Sequence, residues 1–154
     1  MHLTDFLDFE AIKPGLSAGN KRSLLNQLAS LAAGRLGLPA AGILETISER
    51  EKLGSTGFGQ GVAIPHGKVE GLAQVYCLFA RLSEPVRYKA VDRQAVDLVF
   101  LLLSPPDAGA EHLKALAAIS RVVRNSATLE KMRGARSRDA LAAVLMGADE
   151  RDAA

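Results

Sequence analysis

The sequence predicts an α/β fold, a single domain whose β-sheet is sandwiched between helices. Three observations predict it. Apolar residues recur at helical spacing towards both ends of the chain. Strand-like apolar runs fill the middle. The balance of 48% apolar to 23% charged residues is that of an ordinary globular protein. A chain of 154 residues can bury roughly two-thirds of its unfolded surface without staples. Disorder needs low hydrophobicity and high net charge, so it is excluded for the bulk of the chain.

Phe6 to Ile12 is a short apolar segment ended by a breaker at Pro14-Gly15. Asn20 caps a helix in which Leu24, Leu28 and Leu31 make one buried face, with Leu25 and Ala32 beside them, and Gly37 and Pro39 stop it. A second helix runs from about Pro39 to Leu53, with Ile43, Leu44 and Ile47 inward and Gly54 as the left-handed residue past its end. Strands are predicted at Val75–Leu82 and Val96–Leu103, and a weaker edge strand at Val86-Arg87-Tyr88 behind Pro85. After Asp97 the Val96 run is apolar on both faces, which marks a central strand covered by helices on both sides. Pro105-Pro106 ends it. A third helix spans about Ala110 to Arg124, with Leu113, Leu116 or Ala117, and Val123 inside. Ser126 and Ser137 cap two further short helices, one carrying Leu129 and Met132, the other Leu141, Val144 and Leu145. The domain is expected over residues 1–147, with residues 148–154 a frayed tail. Strand order and direction do not follow from the pattern.

Composition narrows the function classes. The lone cysteine, Cys77, excludes an internal disulfide and any multi-cysteine zinc site, and its apolar strand neighbours mark it as core packing. The apolar run Val99 to Leu103, like every other in the chain, is far short of the ~20 residues of a membrane span. The start, MHLTDFLDFE, has acids where a signal peptide has bases, so a cytoplasmic location is expected. Bases crowd Lys114–Arg138, where Glu130 is the acid. That run is read as a solvated helix face or a meeting place for an acidic partner. With a net charge of +2, 5% aromatics and no Trp, a nucleic-acid module is disfavoured.

The chemistry is concentrated between Arg50 and Lys68. Gly57, Gly59 and Gly61 alternate, and Ala63 and Pro65 continue the parity. If the segment is extended, one side is bare and the other carries Phe58, Val62, Ile64 and His66. Pro65 stiffens the backbone before His66 and Gly67 removes bulk after it. A Walker loop fails because Val69 follows Gly67-Lys68, and a Rossmann fingerprint fails because the glycines follow a helix. Of three histidines, His2 is placed in a frayed end with no role, and His66 is the candidate held by its Gly/Pro frame. His112 falls in the first turn of the third helix. Helix N-termini favour anions, so a neutral imidazole there is a candidate donor to a phosphate; an incidental surface position is the alternative. Arg50 ends the second helix. The dipole alone accounts for a cation there, and a planar fork for a phosphoryl group is the functional reading. No spacing among His66, His112 and Cys77 suits a metal.

The run R-E-x-x-x-S-T-G-x-G-x-G-x-A-[IV]-P-H-G from Arg50 to Gly67, the strand V-D-L-V-F-L-L-L from Val96 and the H-L-x-x-L start at His112 resemble one family. It is enzyme IIA of the phosphoenolpyruvate-dependent phosphotransferase system, fructose/mannitol and nitrogen-regulatory branch, and the likeness covers nearly the whole chain. The resemblance implies the type 2 enzyme IIA fold with a mixed sheet. It implies that His66 is phosphorylated through Nε2 and that Arg50 and His112 stabilise the phosphoryl oxygens. Gly57, Gly59 and Gly67 are then phosphate-loop candidates. Phe58 is the docking anchor for a partner if exposed, a buried core position being the alternative. A stand-alone chain of this form looks most like the nitrogen-regulatory type. Its implied donor is an HPr-type phosphocarrier. Its implied output is control of other proteins, in nitrogen or carbon metabolism and potassium transport, with no cofactor and as a monomer or weak dimer. The alternatives are a sugar-transport enzyme IIA passing phosphate to a IIB cysteine, and a sensor domain in which His66 merely binds an anion.

Overall fold

A computed structural model describes residues 1–153, with side chains as far as residue 148. The expected layers are present. Among the described residues, helices α1 (Lys21–Leu36) and α2 (Ala40–Leu53) cover one face of a six-stranded mixed sheet, and α3 (Gly109–Val123), α4 (Ser126–Gly134) and α5 (Arg138–Ala153) cover the other.

Strand β6 (Val96–Ser104) is the axis of the sheet. It pairs antiparallel with β5 (Tyr76–Val86), and beyond β5 lies β1 (Lys13–Leu16), parallel to it. On its other edge β6 pairs parallel with β3 (Val62–Ala63) and then β4 (His66–Lys68), while β2 (Gly57–Gly59) folds antiparallel onto β3. The register Val62↔Leu98, Ala63↔Val99, His66↔Leu102 and Lys68↔Ser104 keeps one offset throughout. The chain from Val62 to Lys68 therefore follows β6 as one line, interrupted at Pro65, whose carbonyl accepts from Leu102 N–H at 3.0 Å.

Alternation along β6 divides the core. Leu98, Phe100 and Leu102 face α3–α5, where Phe100 meets Phe79 with ring centroids 4.8 Å apart. Val99, Leu101 and Leu103 face α1 and α2. Both sets are fully buried, as the doubly apolar run requires. Asn20 caps α1 by accepting from Ser23 N–H at 2.8 Å, and Gly37 ends it at φ +68°. Ser137 Oγ accepts from Ala140 N–H at 3.1 Å at the start of α5.

Several expectations need correction. Pro14-Gly15 lies inside β1, an edge strand, the kind of strand that tolerates a proline within a sheet. Pro85 is likewise within β5, and of the weak edge strand Val86 alone belongs to a strand; Tyr88 is fully buried beyond it. Gly54 has φ +153° and ψ 148°, an extended glycine-favoured conformation outside the left-handed helical region. Leu113 is 67% exposed and Ala117 is exposed, because the inner face of α3 is Ala115, Ala118, Ile119, Val122 and Val123. Asn125, one residue before Ser126, caps α4 by accepting from Ala127 and Thr128 N–H. The N-terminus is anchored: Leu3 is buried, Cys77 N–H donates to Phe6 O and Arg121 donates to Met1 O. Helix α5 passes the expected boundary at residue 147, and Ala148 is buried in the core. The fraying expected further on concerns side chains of residues 149–153 and residue 154, outside the described residues.

Candidate functional site

The site forms where β4, the end of β6, the last turn of α2 and the first turn of α3 converge. Its centre is His66. In β4 the imidazole pairs in register with Leu102, so it takes the face of the sheet that carries α3. Gly67 takes the opposite face, where any Cβ would run into Thr46 Cγ2 of α2. The missing side chain at Gly67 is what lets α2 lie against β4 and places Arg50 beside His66.

His66 is half-buried. Its Nδ1 lies 2.7 Å from Ile64 O, and its Nε2 lies 3.3 Å from Arg50 Nε. A carbonyl only accepts, so Nδ1 carries the hydrogen and Nε2 holds a lone pair, to which Arg50 Nε–H donates. Arg50 Nη1 donates to Gly54 O at 2.8 Å, which fixes the guanidinium against its own helix end. Burial, opposed by the Ile64 carbonyl and assisted by the Arg50 charge, holds the His66 pKa below the usual 6.5. The resting ring is a neutral imidazole with its basic nitrogen presented.

His112 stands beside it, the two ring centroids 5.4 Å apart and the planes inclined by 50°. Ser104 Oγ is 2.6 Å from His112 Nδ1. Burial first, then His66 and Lys68, depresses the His112 pKa as well. The structure thus brings together the three side chains singled out from the sequence, His66, Arg50 and His112.

The sequence reading missed the framework behind them. Glu51, next to Arg50, accepts from Thr56 N–H at 3.0 Å, from Thr56 Oγ1 and from Tyr88 OH at 3.0 Å. Lys21 Nζ pairs with it at 2.9 Å and sits 4.2 Å from the Tyr88 ring centroid. Burial pushes the Glu51 carboxyl up, but Thr56 and Lys21 outweigh it and hold the group below its usual value. Thr56 O accepts from Ile64 N–H at 3.0 Å, and Ile64 O accepts from His66. A line of hydrogen bonds therefore runs from the Glu51 carboxylate through Thr56 and Ile64 to the imidazole. The R-E-x-x-x-S-T run was the available signal for Glu51 and Thr56.

The glycines do other work than expected. The chain is not extended from Gly57 to His66, because Gln60 (φ +56°) and Gly61 (φ +79°) reverse it into a hairpin. Asp92 accepts from Gln60 N–H at 2.8 Å, and Arg133, paired with Asp97 at 2.9 Å, also donates to Gln60 O. Gly57 N–H is bonded to Ser55 Oγ at 3.1 Å, and a Cβ there would overlap Ala90. Phe58, on edge strand β2, is 38% exposed rather than core. Among the described residues no group of three or more histidine, cysteine or carboxylate side chains could hold a metal ion, and no helix is long and apolar enough to cross a membrane.

Residues 5–147 match the family described as phosphoenolpyruvate-dependent sugar phosphotransferase system, EIIA 2. The chain belongs to that family. It is 46% identical to the nitrogen regulatory protein of Bradyrhizobium diazoefficiens over 94% of this chain and 95% of that one. The crystal structure of nitrogen regulatory protein IIA-Ntr from Neisseria meningitidis superposes with a TM-score of 0.86 at 35% identity, covering 92% and 97% of the two chains. The crystal structure of IIA mannitol from Escherichia coli, at 20% identity, TM-score 0.75 and coverage of 90% and 97%, shares the fold. Among these EIIA relatives, the nitrogen-regulatory proteins are nearer in sequence than the mannitol protein.

Proposed function

We propose that this EIIA protein accepts a phosphoryl group on His66 Nε2 from an HPr-type phosphocarrier in the cytoplasm. Its phosphorylation state then regulates other proteins, such as potassium transport or sensor proteins of nitrogen and carbon metabolism. The observation that carries the reading is the pairing of His66 Nδ1 with the Ile64 carbonyl, which leaves Nε2 as the nucleophilic nitrogen.

In the transfer, the Nε2 lone pair forms the new nitrogen–phosphorus bond as the donor's bond to phosphorus breaks in line. The donor ring departs with the bonding pair. Positive charge grows on the His66 ring, and the Nδ1–H bond to Ile64 O stabilises it. Arg50 swings from Nε2 onto the phosphoryl oxygens, and His112 supplies a neutral donor. Such transfers depend mainly on positioning and charge stabilisation. Of the glycines, Gly67 keeps β4 close against α2 beside the ring, whereas Gly57 and Gly59 shape the β2–β3 hairpin that carries Phe58. Phe58 supplies an apolar anchor for the donor, with the exposed Leu113 beside His112.

Incubation with a phosphorylated HPr-type donor, read by intact mass, tests the assignment. The wild-type protein is expected to gain one acid-labile phosphate and His66→Ala none. Undiminished phosphate on His66→Ala, or purely reversible anion binding by the wild type, overturns it. Arg50→Ala is expected to retain the fold and slow uptake on the order of 100-fold, the usual loss for one charge-stabilising donor. Efficient onward transfer to a IIB cysteine domain would instead favour sugar transport.

A further inference from the structure

Ser104 is a polar residue at the end of a strand whose preceding residues from Leu98 to Leu103 are apolar and fully buried. Its side chain continues the Leu98–Phe100–Leu102 face, towards α3, and the residue is itself 0% exposed. Its backbone is fixed along the β4 edge: it pairs with Lys68, and its carbonyl accepts from Val69 N–H at 2.8 Å. Among the described residues the hydroxyl makes one hydrogen bond, to His112 Nδ1 at 2.6 Å.

That single contact determines which partner donates. If His112 Nδ1 carried the hydrogen, the serine would accept it and its own O–H would be buried with no acceptor. A buried donor left unpaired bears its full desolvation cost. The arrangement without an orphan has Ser104 Oγ–H donating to a bare Nδ1, and a neutral imidazole then carries its hydrogen on Nε2. We propose that Ser104 is a positioning residue for phosphoryl transfer, holding His112 as the Nε2–H tautomer so that its second nitrogen is a ready hydrogen-bond donor to the phosphoryl oxygens. The two neighbouring rings are thereby held in opposite tautomers, His66 by a carbonyl with Nε2 bare and His112 by a hydroxyl with Nε2 protonated. A bare Nε2 on both rings would place two lone pairs against a dianion, so the opposite assignment is also what the chemistry needs. The catalytic part of this inference rests on the phosphocarrier reading; the tautomer does not.

Long-range 15N–1H spectra of the histidine rings in the unphosphorylated wild-type protein test it without any donor. His112 is expected to show an unprotonated Nδ1 and a protonated Nε2. A protonated Nδ1 overturns the proposal. In Ser104→Ala, loss of the hydroxyl is expected to move the His112 Nδ1 resonance and slow phosphate uptake at His66 on the order of tenfold, as for removal of a group that orients a functional histidine. Ser104→Thr, which restores a hydroxyl, is expected to recover most of the rate. Unimpaired uptake by Ser104→Ala, or a Ser104→Thr protein that shows the wild-type spectrum yet stays as slow as Ser104→Ala, overturns the catalytic role. Failure of the wild-type protein to take up phosphate, with the tautomer as stated, overturns the phosphocarrier reading and the catalytic role together while leaving the tautomer standing.

Discussion

His66 and His112 both resist protonation in the folded protein, chiefly because burial disfavours the charged ring. In the unfolded chain each titrates near the ordinary value of 6.5. As pH falls through that value the unfolded chain binds protons that the folded protein refuses, so stability must fall with it. The urea midpoint is expected to drop between about pH 7.5 and about pH 5.5, and to drop less in His66→Gln, which cannot protonate. An unchanged slope in that variant would show that the ring is not resisting the proton. At this scale Arg50 and His66 were legible because one contiguous run contains them. Ser104 was not. It lies one residue past the strand expected at Val96–Leu103, and only the constant offset between β4 and β6 brings that strand end to the site.

Among the elements, the hinge of the site is the contact between α2 and β4. Gly67→Ala would drive its methyl into Thr46 Cγ2, separating the helix that carries Arg50 from the strand that carries His66. A loss of about 1–3 kcal/mol is expected, the range for overpacking, with partial recovery when Thr46→Ser is added. Equal stability of both proteins by chemical denaturation would refute the stated role of Gly67. The Glu51 cluster ties the same helix to the Thr56 loop. Removing the carboxylate in Glu51→Ala takes the ion partner from Lys21 and one of the two hydrogen-bond partners from the Tyr88 hydroxyl, and a loss of about 3 kcal/mol is expected. The helices were legible in the sequence because apolar faces and caps such as Asn20 are local features. Strands β1, β2 and β4 were not, since Pro14-Gly15 and the glycine run carry turn chemistry and gain strand geometry only from neighbours distant in sequence. Leu113 misled for the converse reason: a large apolar residue at helical spacing was assigned inward, although α3 packs through smaller residues.

For the whole molecule, β6 separates two apolar clusters and belongs to both, so neither helical layer has a core of its own. Cys77 reports on that unity. It is completely buried in β5, clamped by backbone bonds to the N-terminal segment at Phe6 and Asp8, and burial pushes its thiol well up. Its reaction with a thiol reagent is expected to be negligible in native buffer and to follow global unfolding across a urea series, matching circular dichroism; labelling well below the transition would reveal local opening of β5. The grip of Arg50 on His66 has a further effect on how loading is registered. The lone pair that accepts the guanidinium is the one that bonds to phosphorus in the proposed transfer, so the two attachments are mutually exclusive. On the proposed reading, charging the protein ejects a cation from its seat, so that the empty and charged forms would present different faces to whatever meets them.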